Sequence, residues 1–103
     1  MPRIPLCTVD QIPVGEIIKI EIQDHSPIAV YNLDGIFFAT DDTCTHGEAS
    51  LSEGIIDDDQ VICPYHAGTF DIATGEATGT PCIVAVRTYP LLIEEGTLYA
   101  NLT

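Results

Sequence analysis

Two cysteines and two histidines form two mixed pairs in the middle of the chain. The pairs are Cys44-x-His46 and Cys63-x-x-His66, with sixteen residues between His46 and Cys63. Thiolate sulfur and imidazole nitrogen suit zinc, copper and iron–sulfur centres. Common zinc sites pair Cys with Cys and His with His along the chain, whereas each pair here is mixed. The residues indicate a centre of two metals with different ligands, while a single zinc ion or a coincidence of buried thiols and surface imidazoles stays open.

The residues before this region predict short β-strands. Residues 16–22 alternate, with the side chains of Ile18, Ile20 and Ile22 on one face, although Ile17 breaks the alternation. Residues 28–33 run into Asp34-Gly35 and then the apolar residues 36–39. An Asp-Gly between two apolar runs predicts a tight hairpin, because both turn positions need a positive φ.

The residues after it also predict strands. Residues 83–89 and 91–93 are typical of one extended stretch, interrupted by Pro90. Proline cannot donate a ladder hydrogen bond, so Pro90 should lie at a sheet edge or a bulge. Residues 97–102 alternate, with Leu98, Ala100 and Leu102 on one face, and residues 3–9 could form another strand.

No stretch shows a convincing helical period, so we expect an all-β protein with an antiparallel sandwich or barrel framework. A chain of 103 residues predicts a single domain, residues 1–103. Residues 41–82 are rich in Gly, Thr, Ser and Asp and hold both Cys–His pairs. They predict a smaller, loop-rich, metal-binding subdomain inserted in the β framework.

The charge balance limits the partners. Three basic residues face sixteen acidic ones, for a net charge of −13, which would repel nucleic acid and anionic membranes. A partner with a basic patch would be attracted, although the charge could also serve solubility alone. No apolar run approaches the ~20 residues of a membrane span, and no export signal is recognisable at the start. We therefore expect a cytoplasmic protein whose cysteines bind metal instead of forming disulfides.

At this point the sequence resembles a known family. The stretches CTHGEASLSEG and CPYHAGTFD resemble the Rieske [2Fe–2S] motifs, in which two histidines replace two cysteines on one iron. The stretches GIFFATDDTCTH, GEATGTPC and VRTYPLLIEEGTLYANL are similar to the small Rieske ferredoxins of bacterial aromatic-ring-hydroxylating dioxygenase systems. The resemblance covers essentially the whole chain.

The resemblance implies a ligand set for one [2Fe–2S] cluster. Cys44 and Cys63 would hold one iron through sulfur, and His46 and His66 would hold the other through Nδ1. The cluster would lie at the tip of the molecule. Further roles would fall to residues of the surrounding loops: Pro64 as a stiffener, Gly47 and Gly68 as tight turns that direct amides at the sulfurs, and the loop around Pro81 as a cover.

Two departures from the high-potential Rieske proteins of respiratory chains concern the reduction potential. Those proteins have an extra disulfide between the cluster loops, and Tyr65 stands at one of the two positions here. They also have a Ser and a Tyr that donate hydrogen bonds to the cluster, where this chain has Gly68 and Phe70. Fewer donors, together with the net charge of −13, predict a potential near the bottom of the range of about −150 to +300 mV.

The resemblance implies a soluble one-electron carrier, which would be a component of an oxygenase system without being an enzyme. Its partners would be a flavin-dependent ferredoxin reductase and a terminal Rieske oxygenase, and a monomer is expected. A catalytic oxygenase fragment would need a second site of two histidines and a carboxylate, and only His25 remains for it. The residues also leave open a zinc-stabilised binding module, a redox sensor and a carrier for another pathway.

Three remaining residues have simple expectations. We expect His25 to be exposed in a turn, Cys7 to be a buried strand thiol, and Cys82 to pack near the cluster without binding it. The acidic runs 41–42 and 57–59 are interpreted either as solvated turns or as docking surfaces beside the ligand loops.

Overall fold

Short antiparallel strands make up nearly all of the regular structure. The computed structural model describes residues 3–45, 49–64, 68–79 and 84–102. Over these residues the strands are β1 Ile4–Thr8, β2 Ile17–Ile22, β3 His25–Leu33, β4 Ile36–Asp41, β5 Ile55–Asp57, β6 Gln60–Ile62, β7 Thr69–Asp71, β8 Ala77–Gly79, β9 Thr88–Tyr89, β10 Leu91–Glu94 and β11 Thr97–Ala100. Two single 3₁₀ turns, Val9–Gln11 and Leu51–Glu53, are the only helical segments among the described residues, and neither is long and apolar enough to cross a membrane.

The strands form three sheets. The terminal sheet has the order β1-β11-β10, the framework sheet β2-β3-β4-β9 and the meander sheet β5-β6-β7-β8. All of their pairings are antiparallel. The all-β antiparallel prediction is therefore confirmed. The meander sheet covers residues 55–79, inside the range predicted for the loop-rich subdomain.

The predicted Asp-Gly hairpin joins β3 to β4. Asp34 and Gly35 have φ values of 55° and 91°, as a two-residue turn of this type requires. The side-chain oxygen of Asn32 accepts a hydrogen bond from the Gly35 N–H at 2.7 Å. Leu33 then pairs with Ile36, and the ladder continues to Ile28 opposite Asp41. This long hairpin leads the chain directly to the first Cys–His pair.

Two groups of buried side chains explain the broken alternation of β2. Ile18, Ile20 and Ile22 pack against the core formed mainly by Ile28, Val30, Ala39, Leu98 and Ala100, called here the framework core. Ile17 packs instead against a second core, which contains Tyr31, Leu51, Val61 and Phe70 and is called here the site core. Ile17 therefore contributes to the other core. The alternation places it on the opposite face of β2 but does not show that this face also packs against a core.

The predicted strand over residues 83–89 is mostly wrong. Ile83 lies outside the described residues, and residues 84–87 are irregular, so that only Thr88–Tyr89 forms a strand. The Val86 N–H donates to the Gly75 carbonyl at 2.8 Å, and the Arg87 carbonyl accepts from the Asp41 N–H at 2.8 Å. Pro90 then separates β9, at one edge of the framework sheet, from β10, at one edge of the terminal sheet. The predicted edge position of Pro90 is confirmed.

Cys7 and His25 both differ from expectation. Cys7 lies in β1, as predicted, but it is half-buried, and its partial burial raises the pKa of the thiol. His25 is half-buried at the start of β3, not exposed in a turn. Its ring packs edge-on against Tyr89, with 5.8 Å between ring centroids, because β3 and β9 lie on either side of β4.

The Tyr89 hydroxyl is tied to the strand beside it. It donates a hydrogen bond to the Asp41 carboxylate, and the Arg87 guanidinium lies 4.9 Å above the ring. Burial, followed by the bond to Asp41, raises the pKa of Tyr89 to about 12, against the partial opposing effect of Arg87.

This shift predicts a pH dependence of stability. Because the pKa of Tyr89 is higher in the folded chain than its ordinary value of about 10, the neutral hydroxyl stabilises the fold below pH 10. That contribution is lost as the pH rises from about 10 to about 12. We expect the thermal midpoint of the wild type to fall more steeply over this range than that of Tyr89→Phe, as followed by circular dichroism. Equal slopes would contradict the assignment.

Candidate metal centre

Cys44 and Cys63 lie in the same core. Cys44 follows the end of β4, and Cys63 follows β6 directly. They are 2% and 1% exposed, and both belong to the site core with Leu51, Val61 and Phe70. The fold therefore brings the two predicted sulfur ligands together from two different sheets, and it removes them from bulk water.

Each cysteine closes a short loop in the same way. The Cys44 N–H donates to the Ala49 carbonyl at 2.9 Å, and the Cys63 N–H donates to the Gly68 carbonyl at 2.7 Å. Each bond joins residues five apart, and each loop contains one predicted histidine ligand in the sequence, His46 in the first and His66 in the second. The two histidines, and Gly47 with them, lie outside the described residues.

The first loop is anchored on both of its strands. Thr43 and Ser50 form an isolated antiparallel bridge. The Asp42 carbonyl accepts from the Leu51 N–H at 2.7 Å, and the Asp42 carboxylate accepts from the Ser52 N–H at 2.9 Å. The two arms of the loop are therefore joined through two consecutive residues below Cys44, namely Thr43 and Asp42.

The second loop is the upper end of a hairpin in the meander sheet. Below it, Ile62 pairs with Thr69 and Val61 pairs with Phe70. Gly54 passes so close to this hairpin that a β-carbon there would lie 2.1 Å from the Ile62 carbonyl oxygen. Only a glycine allows this approach, which packs the end of the first loop against the strand that carries Cys63.

The segment after the predicted covering loop contacts the first ligand loop. Pro81 and Cys82 lie outside the described residues, so the expectations for them stay predictions. The Thr45 hydroxyl donates to the Val84 carbonyl at 2.7 Å. Val84 is 58% exposed, although it is apolar, and Thr45 and Pro64 are exposed beside their cysteines. The segment after the covering loop is therefore joined to the first ligand loop through Thr45, and an exposed residue follows each of these two cysteines in the sequence.

The donor set suits a Rieske cluster. Two buried thiols face an apolar core, and soft thiolate ligands select iron–sulfur clusters or zinc. Phe70 is fully buried in the same core as both cysteines, and its side chain has no hydrogen-bond donor. Within the described ranges no group of three or more His, Cys, Asp or Glu side chains is placed to hold a metal ion.

The acidic runs differ from each other in the structure. Residues 57–59 are exposed around the β5–β6 turn, as expected of a solvated turn. Asp41 is half-buried against Tyr89, and Asp42 is 1% exposed, so the expectation of a solvated turn is wrong for Asp42. The sequence Asp-Asp does not indicate that the second carboxylate lies beneath the first ligand loop. Only their tertiary contacts distinguish Asp42 from Asp41.

A family model described as the Rieske [2Fe–2S] domain matches residues 3–90 of the chain. The chain belongs to the Rieske [2Fe–2S] family. Proteins of this family carry one [2Fe–2S] cluster, and the buried cysteines at the bases of two equivalent loops fit it.

This Rieske protein is similar to electron-transfer components over nearly its full length. It is 43% identical over 97 residues to the ferredoxin component of the p-cumate 2,3-dioxygenase system of Pseudomonas putida, covering 93% of this chain and 82% of that one. It is 42% identical over 104 residues to the 3-phenylpropionate/cinnamic acid dioxygenase ferredoxin subunit of Escherichia coli, with coverages of 99% and 95%.

Solved structures agree with the fold. The Sphingomonas yanoikuyae B1 ferredoxin superimposes with a TM-score of 0.95 at 40% identity, over 99% of this chain and 100% of that one. A chain in the complex of reduced oxygenase and oxidised ferredoxin of carbazole 1,9a-dioxygenase superimposes with a TM-score of 0.91 at 38% identity, over 95% and 91% of the two chains. These relatives are named as ferredoxin components, which are electron carriers and not catalytic enzymes.

Proposed function

We propose that this Rieske protein is a cytoplasmic one-electron carrier of low potential. It would accept electrons from a flavin-dependent ferredoxin reductase and pass them to a terminal aromatic-ring-hydroxylating oxygenase. The observation that carries the proposal is the placement of Cys44 and Cys63 in one core, each at the base of a loop closed by its own N–H. Full-length similarity to ferredoxin components of dioxygenase systems supports the direction of electron flow.

The ligand assignment is part of this proposal. Cys44 and Cys63 would bind one iron, and His46 and His66 the other, within a subdomain of residues 41–82 in a single domain of residues 1–103. The bound cluster supplies one-electron oxidation and reduction. The site core excludes water from the sulfur side. The N–H groups of both cysteines bond to carbonyls, and these bonds hold the two loops closed.

Charge supports a partner with a basic docking face. All three basic residues have partners within the chain: Arg3 binds Glu94 at 2.5 Å, Lys19 lies 3.5 Å from Glu21, and Arg87 donates to the Leu102 carbonyl at 3.1 Å. The remaining carboxylates make a strongly negative surface, which would speed encounters with a positive partner at low salt. The carrier would act as a monomer whose partners approach the exposed surface around Thr45, Pro64 and Val84.

The test begins with anaerobically purified protein. Absorption and EPR spectra before and after dithionite should show a visible spectrum that bleaches and a rhombic signal averaging near g of about 1.9. Stopped-flow reduction by NADH and the reductase of the p-cumate system, followed by reoxidation by its oxygenase, then tests the partners. We expect both steps, and a fall in their rates with added salt.

Two results would overturn the proposal. A colourless, EPR-silent protein with stoichiometric zinc would favour the binding module. A bleachable cluster that exchanges electrons with neither a reductase nor an oxygenase would favour the redox sensor.

The reduction potential is a separate prediction. Phe70 and Gly68 carry no side-chain donor for the cluster, and the net charge of −13 disfavours an added electron. We expect a midpoint potential near −150 mV, at the bottom of the range for Rieske clusters of about −150 to +300 mV. Protein-film voltammetry measures it, and a midpoint above about +100 mV would contradict the prediction.

A further inference from the structure

Asp42 is a buried carboxylate whose hydrogen bonds lie at the base of the first ligand loop and at β3. It is 1% exposed and stands two residues before Cys44. Its N–H donates to the Pro27 carbonyl at 3.0 Å, and its carbonyl accepts from Leu51 at 2.7 Å. Its Oδ1 accepts from the Ser52 N–H at 2.9 Å. One residue therefore joins the start of the loop, its return arm and the first part of β3.

The side-chain bond is the only one of these contacts that depends on the residue type. Backbone groups of any residue could make the bonds to Pro27 and Leu51, but only a side-chain acceptor of this length reaches the Ser52 N–H. The Ser52 N–H lies in the 3₁₀ turn Leu51–Glu53, where the first amides have no partner in the turn itself. Asp42 thus caps this turn from across the loop.

The second oxygen makes the carboxylate costly. Oδ2 of Asp42 is buried and has no hydrogen-bond partner in the part of the chain that the structure describes. Burying an incompletely bonded carboxylate is unfavourable. The bond from the Ser52 N–H to Oδ1 offsets only part of this cost, so the position carries a buried acid side chain at the base of the ligand loop.

We propose that Asp42 is a positioning residue for the cluster, which fixes the loop carrying Cys44 through its bond to the Ser52 N–H. The inference rests on the proposed ligand set, since it concerns how firmly that loop holds iron. Loss of a residue that orients metal ligands typically weakens metal binding by about 10- to 100-fold.

The experiment uses the holoprotein and two variants that remove the bond from opposite sides. Asp42→Ala removes the acceptor, and Ser52→Pro removes the donor, since proline has no N–H and its fixed φ matches that of a 3₁₀ residue. Asp42→Asn keeps an oxygen acceptor, and Asp57→Ala removes an exposed carboxylate as the matched control. Iron release to a ferrous chelator is followed well below each protein's unfolding midpoint, together with EPR g-values.

We expect Asp42→Ala and Ser52→Pro each to release iron about tenfold faster or more, with shifted g-values. The double variant, Asp42→Ala with Ser52→Pro, should release iron no faster than either single variant, because both substitutions remove the same bond. Asp42→Asn and Asp57→Ala should release iron within about threefold of the wild-type rate, far inside the loss expected for a displaced ligand loop.

Contrary outcomes overturn the inference. If Asp42→Ala lowers only the unfolding midpoint and leaves release and g-values unchanged, the residue is structural. If Asp42→Ala does not fold, Ser52→Pro alone tests the inference. Iron release from Ser52→Pro at the wild-type rate would then refute the role of Asp42. A wild-type protein without a cluster would refute the proposed function instead, so the two failures are distinct.

Discussion

Replacing Cys63 with serine should abolish the cluster. The thiolate is the form of cysteine that binds metal, and a serine hydroxyl stays protonated near neutral pH. Cys63 is 1% exposed in the site core, so solvent has little room to supply a replacement ligand. We expect essentially complete loss of iron, visible absorption and the EPR signal from Cys63→Ser purified without oxygen.

Cys7→Ser is the matched control. Cys7 lies in β1 and packs against the framework core, away from the site core that holds Cys63. We expect it to keep the spectrum of the wild type, with at most a small loss of stability from a half-buried hydroxyl. Iron content near that of the wild type in Cys63→Ser, or loss of colour in Cys7→Ser, would contradict the ligand assignment.

Replacing Gly75 with alanine should lower the stability of the folded chain strongly. Gly75 has a φ of +80°, and a β-carbon there would lie 2.1 Å from the Val86 carbonyl oxygen. Its own carbonyl accepts from the Val86 N–H at 2.8 Å. An alanine would cost about 1–2 kcal/mol for the left-handed backbone and about 1–3 kcal/mol more if the bond to Val86 breaks.

We therefore expect Gly75→Ala to lower the thermal midpoint by more than about 10 °C, measured at matched cluster loading. Gly96→Ala separates the two causes. Gly96 has the same φ of +80° in the β10–β11 turn, but nothing lies within 4 Å of its β-carbon position. The stability lost in Gly96→Ala should be limited to the backbone cost of about 1–2 kcal/mol. An equal fall of the thermal midpoint in the two variants would show that the contact with Val86 does not contribute to stability.

Local chemistry explains which parts of the fold were predictable. Asp34-Gly35 specifies its turn by itself, because both residues accept a positive φ, and the strands on either side follow. The two Cys–His pairs likewise indicate metal binding from spacing alone. Residues 84–87 were not predictable, since apolar alternation is typical of a strand, whereas their N–H and C=O groups bond to Gly75 in the β7–β8 connection and to Asp41 at the end of β4.

The site contains features that no sequence pattern carries. The equivalent closure of the two ligand loops depends on backbone bonds to Ala49 and Gly68, which any residue could accept. Asp42 and Asp41 are adjacent and chemically identical, but one is 1% exposed beneath a ligand loop and the other binds Tyr89. Tertiary packing alone separates their roles, which is why sequence reasoning treats both alike, as parts of a solvated turn or of a docking surface.

The pairing of the first strand with the last has a consequence for how the protein is made. Ile4 lies opposite Ala100, so the terminal sheet cannot form until synthesis has passed residue 100. The meander sheet, by contrast, pairs only neighbours along the chain, from Ile55 to Gly79. Local hairpins form in about 1–10 μs, while pairings between distant residues are slower. On the ribosome, the meander sheet can therefore take shape while the terminal sheet is still open.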